Sequence, residues 1–107
     1  MILLRVHPEA RDERRRAIRR MRSPGAAARF DQMLREILTR IREAPDQFPE
    51  HGLLAVQSGR PLFYMVRRAV LPQTFPFVVF FYVRERVAIV IAIAHTRRRP
   101  GYWTERR

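Results

Sequence analysis

The sequence contains no cysteine and no lysine. Without cysteine there are no disulfides, no thiolate zinc sites and no cysteine nucleophiles. The absence also fits a reducing compartment. Acidic residues are scarce, 10 against 22 basic ones, and every basic residue is arginine, for a net charge of +12. Three histidines, His7, His51 and His95, are scattered and form no ligand cluster. There is no glycine-rich phosphate loop, no paired-carboxylate site and no metal motif. Neither a cofactor nor a metal is therefore expected, and dehydrogenase, kinase and hydrolase chemistry have no support. Nor is there an unbroken apolar run long enough to cross a membrane. The longest, Phe75 to Ala94, is cut by Arg84-Glu85-Arg86. A span needs roughly 20 apolar residues, and charges at its centre are costly. Met1 to Val6 is too short for the core of an export signal. A soluble, cytoplasmic protein with no membrane role and an anionic partner is expected.

What remains is enough for one small domain. At 107 residues with 47% hydrophobic content the chain can bury a modest core. Ile2 to Val6 is a short apolar run that predicts a strand. Pro8 suits a first helical turn, and Glu9, Asp12 and Glu13 suit a helix N-terminus. Ala10, Ala17, Ile18 and Met21 follow on one face. The other faces are nearly all arginine: Arg11, Arg14, Arg15, Arg16, Arg19, Arg20 and Arg22. Ser23-Pro24-Gly25 stops this helix, caps the next and starts it. Phe30, Met33, Leu34, Ile37, Leu38 and Ile41 then keep helical spacing, and Pro45 ends the run. So short a connection predicts an antiparallel helix hairpin.

Asp46 to Pro61 carries Pro49, Gly52 and Gly59 and follows Pro45, and it predicts a loop. Leu62 to Leu71 is a strand candidate closed by Pro72. Phe77 to Val83 and Val87 to Ala94 are β-branched and aromatic. Arg84-Glu85-Arg86 between them suits a hairpin turn. Apolar on both faces, this pair is expected at the centre of the sheet, with one face under the helices. The order strand, two helices, three strands predicts a single α+β domain over residues 1–107. Its helix hairpin packs on one face of a mainly antiparallel sheet, and residues 96–107 form a basic tail.

The segment from Phe75 through His95 to Arg97-Arg98-Arg99-Pro100-Gly101-Tyr102-Trp103 resembles the RelE/ParE family of type II toxin–antitoxin toxins. His7-Pro8-Glu9-Ala10 and Ala28-Arg29-Phe30 match the family's general layout. The resemblance implies a small basic toxin neutralised by an acidic antitoxin. It also implies one of two mechanisms: ParE-like poisoning of DNA gyrase, or RelE-like cleavage of mRNA on the ribosome. The nuclease branch usually carries Pro-Tyr-Arg where this chain has Pro76-Phe77-Val78, and lysines on the preceding strand where only Arg67 and Arg68 occur. Arginine binds phosphate well but is a poor general base, since its pKa stays above about 12. The first expectation is therefore a ParE-like toxin without bond chemistry. The second is a ribosome-dependent endonuclease using Arg68, Arg98 and Tyr102. The third is a relative that keeps only the antitoxin-binding scaffold.

Candidate contacts to the target or to nucleic acid are Arg67, Arg68, His95, Arg97, Arg98, Arg99, Tyr102 and Trp103. Guanidinium groups bind phosphate or carboxylate bidentately, and aromatic rings stack on bases. The same cluster also suits a tail that folds back on the sheet, with Trp103 covering an edge. His95 suits a capping or packing role as well as a phosphate contact. Arg15, Arg19 and Arg22 are candidates for antitoxin contact. Spacing alone leaves open whether the arginine face is merely solvated or meets protein, DNA or RNA.

Overall fold

The computed structural model describes residues 1–58, 60–72, 75–99 and 101–106. β1 (Leu3–Val6) leads into α1 (Pro8–Arg19) and α2 (Pro24–Glu43). A 3-10 turn at Pro45–Gln47 precedes β2 (Glu50–Ser58), β3 (Arg60–Val70), β4 (Phe77–Arg84) and β5 (Val87–His95). The five strands form one sheet in the order β1-β5-β4-β3-β2. β1 runs parallel to β5, and the other neighbours are antiparallel. This is the expected α+β domain with one strand more.

Local chemistry sets the helix ends. The His7 ring accepts the Glu9 N–H through Nδ1 at 3.1 Å, ahead of Pro8 at the first helical position. Ser23 Oγ accepts the Ala26 N–H at 3.1 Å, ahead of Pro24. α2 stops at Glu43, two residues before Pro45. The Ile2 N–H donates to the Arg42 carbonyl at 3.1 Å, so the far end of α2 returns to the start of β1. The helices thus run antiparallel.

The helices cover one face of the sheet. Phe30, Leu34, Ile37 and Ile41 of α2 are buried against Val79 and Phe81 of β4 and Ala88, Val90 and Ile93 of β5. A second apolar cluster lies on the opposite face, where Leu54, Val56, Val66, Tyr82, Ile91 and Trp103 pack together.

The loop expected over Asp46 to Pro61 is corrected by the structure. Most of it is β2, paired with β3 from Glu50↔Arg67 to Ser58↔Arg60. Leu54 and Val56 are buried while Leu53 and Ala55 are exposed, which is strand alternation. β2 lies at the sheet edge. Edge strands tolerate glycine, and Gly52 adjoins the register shift between Glu50 and Gly52. The charged connection between β4 and β5 is the predicted hairpin. Its two turn residues, Glu85 and Arg86, have φ of 49° and 64°.

β5 departs from plain alternation. Phe80 pairs with Ala92 and Phe81 with Val90, so β5 carries one extra residue, Ile91. Ala88 and Val90 face the helices before this bulge, and Ile93 faces them after it. Ile91 and Ala92 both join the opposite cluster.

Candidate functional site

The bulge lies where β5 loses its outer neighbour. β1 pairs with β5 only as far as Val6↔Val90, and the His7 N–H closes that ladder on the Val90 carbonyl at 2.8 Å. From Ile91 onward the edge of β5 needs other partners. Glu13 and Arg106 supply them. Glu13 Oε1 accepts the Ile93 N–H at 3.0 Å, and Arg106 Nη1 donates to the Ile91 carbonyl at 3.0 Å. The two side chains are bonded to each other at 2.7 Å, and both are buried. Arg106 Nε also meets Glu9 at 2.9 Å.

Tyr102 completes the cluster. Its hydroxyl donates to Glu13 Oε2. Two guanidinium groups lie over its ring, Arg98 3.9 Å and Arg106 4.9 Å from the ring centre. Burial, followed by the hydrogen bond to Glu13, pushes the phenol pKa well above its ordinary value. Burial works against the charge of Arg106, but its bonds to Glu13 outweigh this and its pKa is raised. Arg98 Nη1 stands 3.7 Å from Glu13 Oε2, and its side chain is half exposed.

The tail reaches this point by wrapping round the sheet edge. Gly101 takes φ +78°, a region that favours glycine, and its carbonyl accepts the Thr104 N–H at 3.1 Å. Pro100, whose fixed φ would stiffen the approach to Tyr102 and Trp103, lies outside the described residues. Trp103 is buried on the sheet face away from the helices, with its ring centre 5.1 Å from Phe80 and 5.7 Å from His51. Its Nε1 is buried with no hydrogen-bond partner among the described residues.

On the helix side, the same edge opens into a groove of about 790 Å³. Its floor is apolar, with Ala17, Met21, Phe75, Phe77 and Ile93. Arg16, Arg20, Arg22, Arg29, Arg98 and His95 also line it, with Glu13 as the single acid. Such a groove suits a ligand that carries both carboxylates and apolar side chains. Among the described residues no group of histidine, aspartate and glutamate side chains could hold a metal. No described helix is long and apolar enough to cross a membrane.

A sequence model of the family described as "ParE toxin of type II toxin-antitoxin system, parDE" matches residues 4–100. The chain belongs to the ParE toxin family. Comparison with curated proteins and with solved structures finds no significant match in either. The helix hairpin, the sheet apart from Leu3 and the first residues of the tail lie inside the matched range; Tyr102, Trp103 and Arg106 lie beyond it.

In this ParE-family toxin the residues singled out from sequence divide by place. Arg98, Tyr102 and Trp103 come together at the tail, but Trp103 is buried and Tyr102 is turned toward Glu13. His95 lies on the groove side. Its Nδ1 accepts the Arg97 N–H at 3.1 Å, and its ring packs edge-on to Phe77 with centres 5.3 Å apart. Arg97 and Arg99 are exposed. Arg67 bonds the Phe48 carbonyl at 2.9 Å and stands 3.6 Å from Glu50. Arg68 is exposed on β3 and pairs in register with Phe80 on the face opposite the groove. Of the helix arginines named for an antitoxin, Arg22 lines the groove, Arg15 pairs with Asp12 at 3.3 Å, and Arg19 is exposed away from the groove lining.

Sequence reasoning missed Glu13, Arg106, and the groove positions of Arg16, Arg20 and Arg29. Glu13 had a signal. It falls between Ala10 and Ala17 at i, i+3, i+7, so it sits on the apolar stripe of α1 and not only near its N-terminus. An acid at a buried helical position needs a buried cation. Arg106 had no local signal among so many arginines.

Proposed function

We propose that this toxin inhibits growth in the ParE manner. It binds DNA gyrase without bond chemistry of its own and is neutralised by an acidic antitoxin that occupies the arginine-lined groove. One observation carries the non-enzymatic reading: Arg98 and Tyr102 meet, but no group free to act as a base stands with them. Arg68 stands on one face of the sheet and His95 on the other. The Tyr102 hydroxyl is committed to Glu13, and its raised pKa makes it a poor base at neutral pH. The remaining cations are arginines, which hold phosphate but do not shuttle protons. Val78, opposite Ala94 in register, adds no cation where the nuclease branch usually has one.

The exposed cations Arg97, Arg98 and Arg99 carry the target contact in this reading. Antitoxin binding is supported by charge and shape: five arginines around an apolar floor, on a chain of net charge +12. Gyrase supercoiling and ribosome-dependent mRNA cleavage, measured with the same purified toxin, test the reading. Loss of supercoiling with intact mRNA is expected, and codon-specific cleavage on ribosomes would replace it with the nuclease alternative. Association with the antitoxin should slow steeply with added salt.

A further inference from the structure

Arg98 belongs to two sites. It lies on the Tyr102 ring at the tail, and it also lines the groove. Its hold on Glu13 is the loosest that this carboxylate makes. The Arg106 and Ile93 bonds measure 2.7 and 3.0 Å, against 3.7 Å to Arg98. The Arg98 side chain is 49% exposed, and an ion pair so placed is weak. Its departure would not undo the tail. Tyr102 would still be held by its hydroxyl on Glu13 and by Arg106 over its ring. The rest of the groove is cationic and apolar, so its occupant carries carboxylates, and Glu13 is the only acid already there.

We infer that Arg98 switches partners. In the free toxin it is docked on Tyr102 and Glu13 at the tail. A carboxylate of an acidic amphipathic segment seated in the groove draws it away, so the antitoxin disarms the toxin by taking its exposed guanidinium. The inference rests on the reading of the groove as the antitoxin site, and it adds the means of neutralisation. Glu13 then has a second role as a positioning residue: it competes with the incoming carboxylate for Arg98.

The test uses the full chain and a fluorescently labelled synthetic amphipathic peptide with leucines on one helical face and glutamates on the other. Affinity is read by anisotropy for the wild type, Arg98→Ala, Glu13→Gln and the double variant. Arg98→Ala is expected to weaken binding about three- to tenfold, as for a lost charge-assisted pair. Glu13→Gln is expected to tighten it about two- to fivefold, the range of a partly exposed ion pair. The gain should vanish when Arg98 is also absent. A purely structural role for Glu13 predicts weaker binding, not tighter. Equal affinity of Arg98→Ala and wild type overturns the inference while leaving the groove reading intact. So does a Glu13→Gln gain that persists without Arg98. No binding to the wild type overturns both. If Glu13→Gln does not fold, Arg98 still decides. The Nε–H resonance of Arg98 in the wild type should shift on adding peptide while that of Arg106 stays, and an unmoved Arg98 signal overturns the switch.

Discussion

On its helix face the sheet is covered by Phe30, Leu34, Ile37 and Ile41, four side chains on about three turns of one helix, acting through apolar area alone. On the other face it is covered by Trp103, and that cover is fastened at the sheet edge by a carboxylate bonded to a guanidinium and a phenol. The first cover is built from residues three and four apart. The second joins α1 to residues 80, 89 and 93 positions later. Apolar cover degrades gradually as area is lost. A buried polar clasp fails when one partner is removed, because the other is left charged and unpaired. The toxin thus has a robust side that holds the fold and a conditional side that holds the tail.

The sharpest way to break this comparison is on the robust side. Phe30 is fully buried and packs on Phe75 and Phe77 at 5.6 and 5.1 Å between ring centres. Phe30→Ala should cost about 3–5 kcal/mol, and Ile37→Ala about 2–5 kcal/mol, in urea unfolding. A loss below roughly 0.5 kcal/mol at either site would place the stripe in solvent rather than in a core.

On the conditional side, Arg106→Ala leaves Glu13 buried without its closest cation. A cost of about 3 kcal/mol is expected, at the lower end for a broken buried pair because the Ile93 N–H and Tyr102 hydroxyl still bond Glu13. Removing both charges while keeping groups that can still bond the β5 edge, with Glu13→Gln and Arg106→Gln, should cost clearly less than Arg106→Ala alone. Equal losses in the single and double variants would show that the pair acts by packing and that its charges are incidental.

How far each side was legible follows the same division. The helix stripe, the Ser23-Pro24 cap and start, and the Glu85–Arg86 turn are local signals, and each appears where the sequence places it. β2 was hidden because Leu53, Leu54 and Ala55 favour no strand by themselves. Pairing with β3 and the burial of Leu54 and Val56 decide it. The β5 bulge was hidden because Val87 to Ala94 is apolar throughout, so a shift of alternation leaves no mark in composition. At the site, the clustering of Arg98 with Tyr102 and Trp103 was legible from their nearness in sequence. The partner that orients them, Glu13, was not, because long-range pairing among many arginines has no periodicity to betray it.

Alkaline titration gives a smaller and more selective effect. The raised Tyr102 pKa means that the folded toxin holds this proton more tightly than the unfolded chain does. The associated stability is complete below the unfolded phenol pKa of about 10, and it is lost as pH rises above that value. Tyr82, raised chiefly by burial, contributes in the same direction. Melting temperatures between about pH 9 and 11.5 should therefore fall. Tyr102→Phe should flatten the slope at a cost of about 1 kcal/mol at neutral pH for the lost hydrogen bond. An unchanged slope in that variant would mean that the phenol is not held by the clasp.

The smallest effect is a gain, and it serves as the control for the others. Glu85 and Arg86 both occupy the left-handed region in the β4–β5 turn, where a side chain is disfavoured and Asn-Gly is the usual choice. Arg86 is exposed and makes no ion pair among the described residues, so its side chain contributes little to offset that strain. Arg86→Gly should stabilise the fold by roughly 0.5–1 kcal/mol, since relief of the strain exceeds the added freedom of the unfolded chain. Among the described residues no hydrogen bond or ion pair joins the turn to the helix stripe or to the clasp, so the gain should add to the Phe30→Ala loss and to the Arg106→Ala loss by the same amount. A gain that appears with one and disappears with the other would mean that the faces are coupled through the hairpin. The division into a robust side and a conditional side would then have to give way to a single cooperative layer.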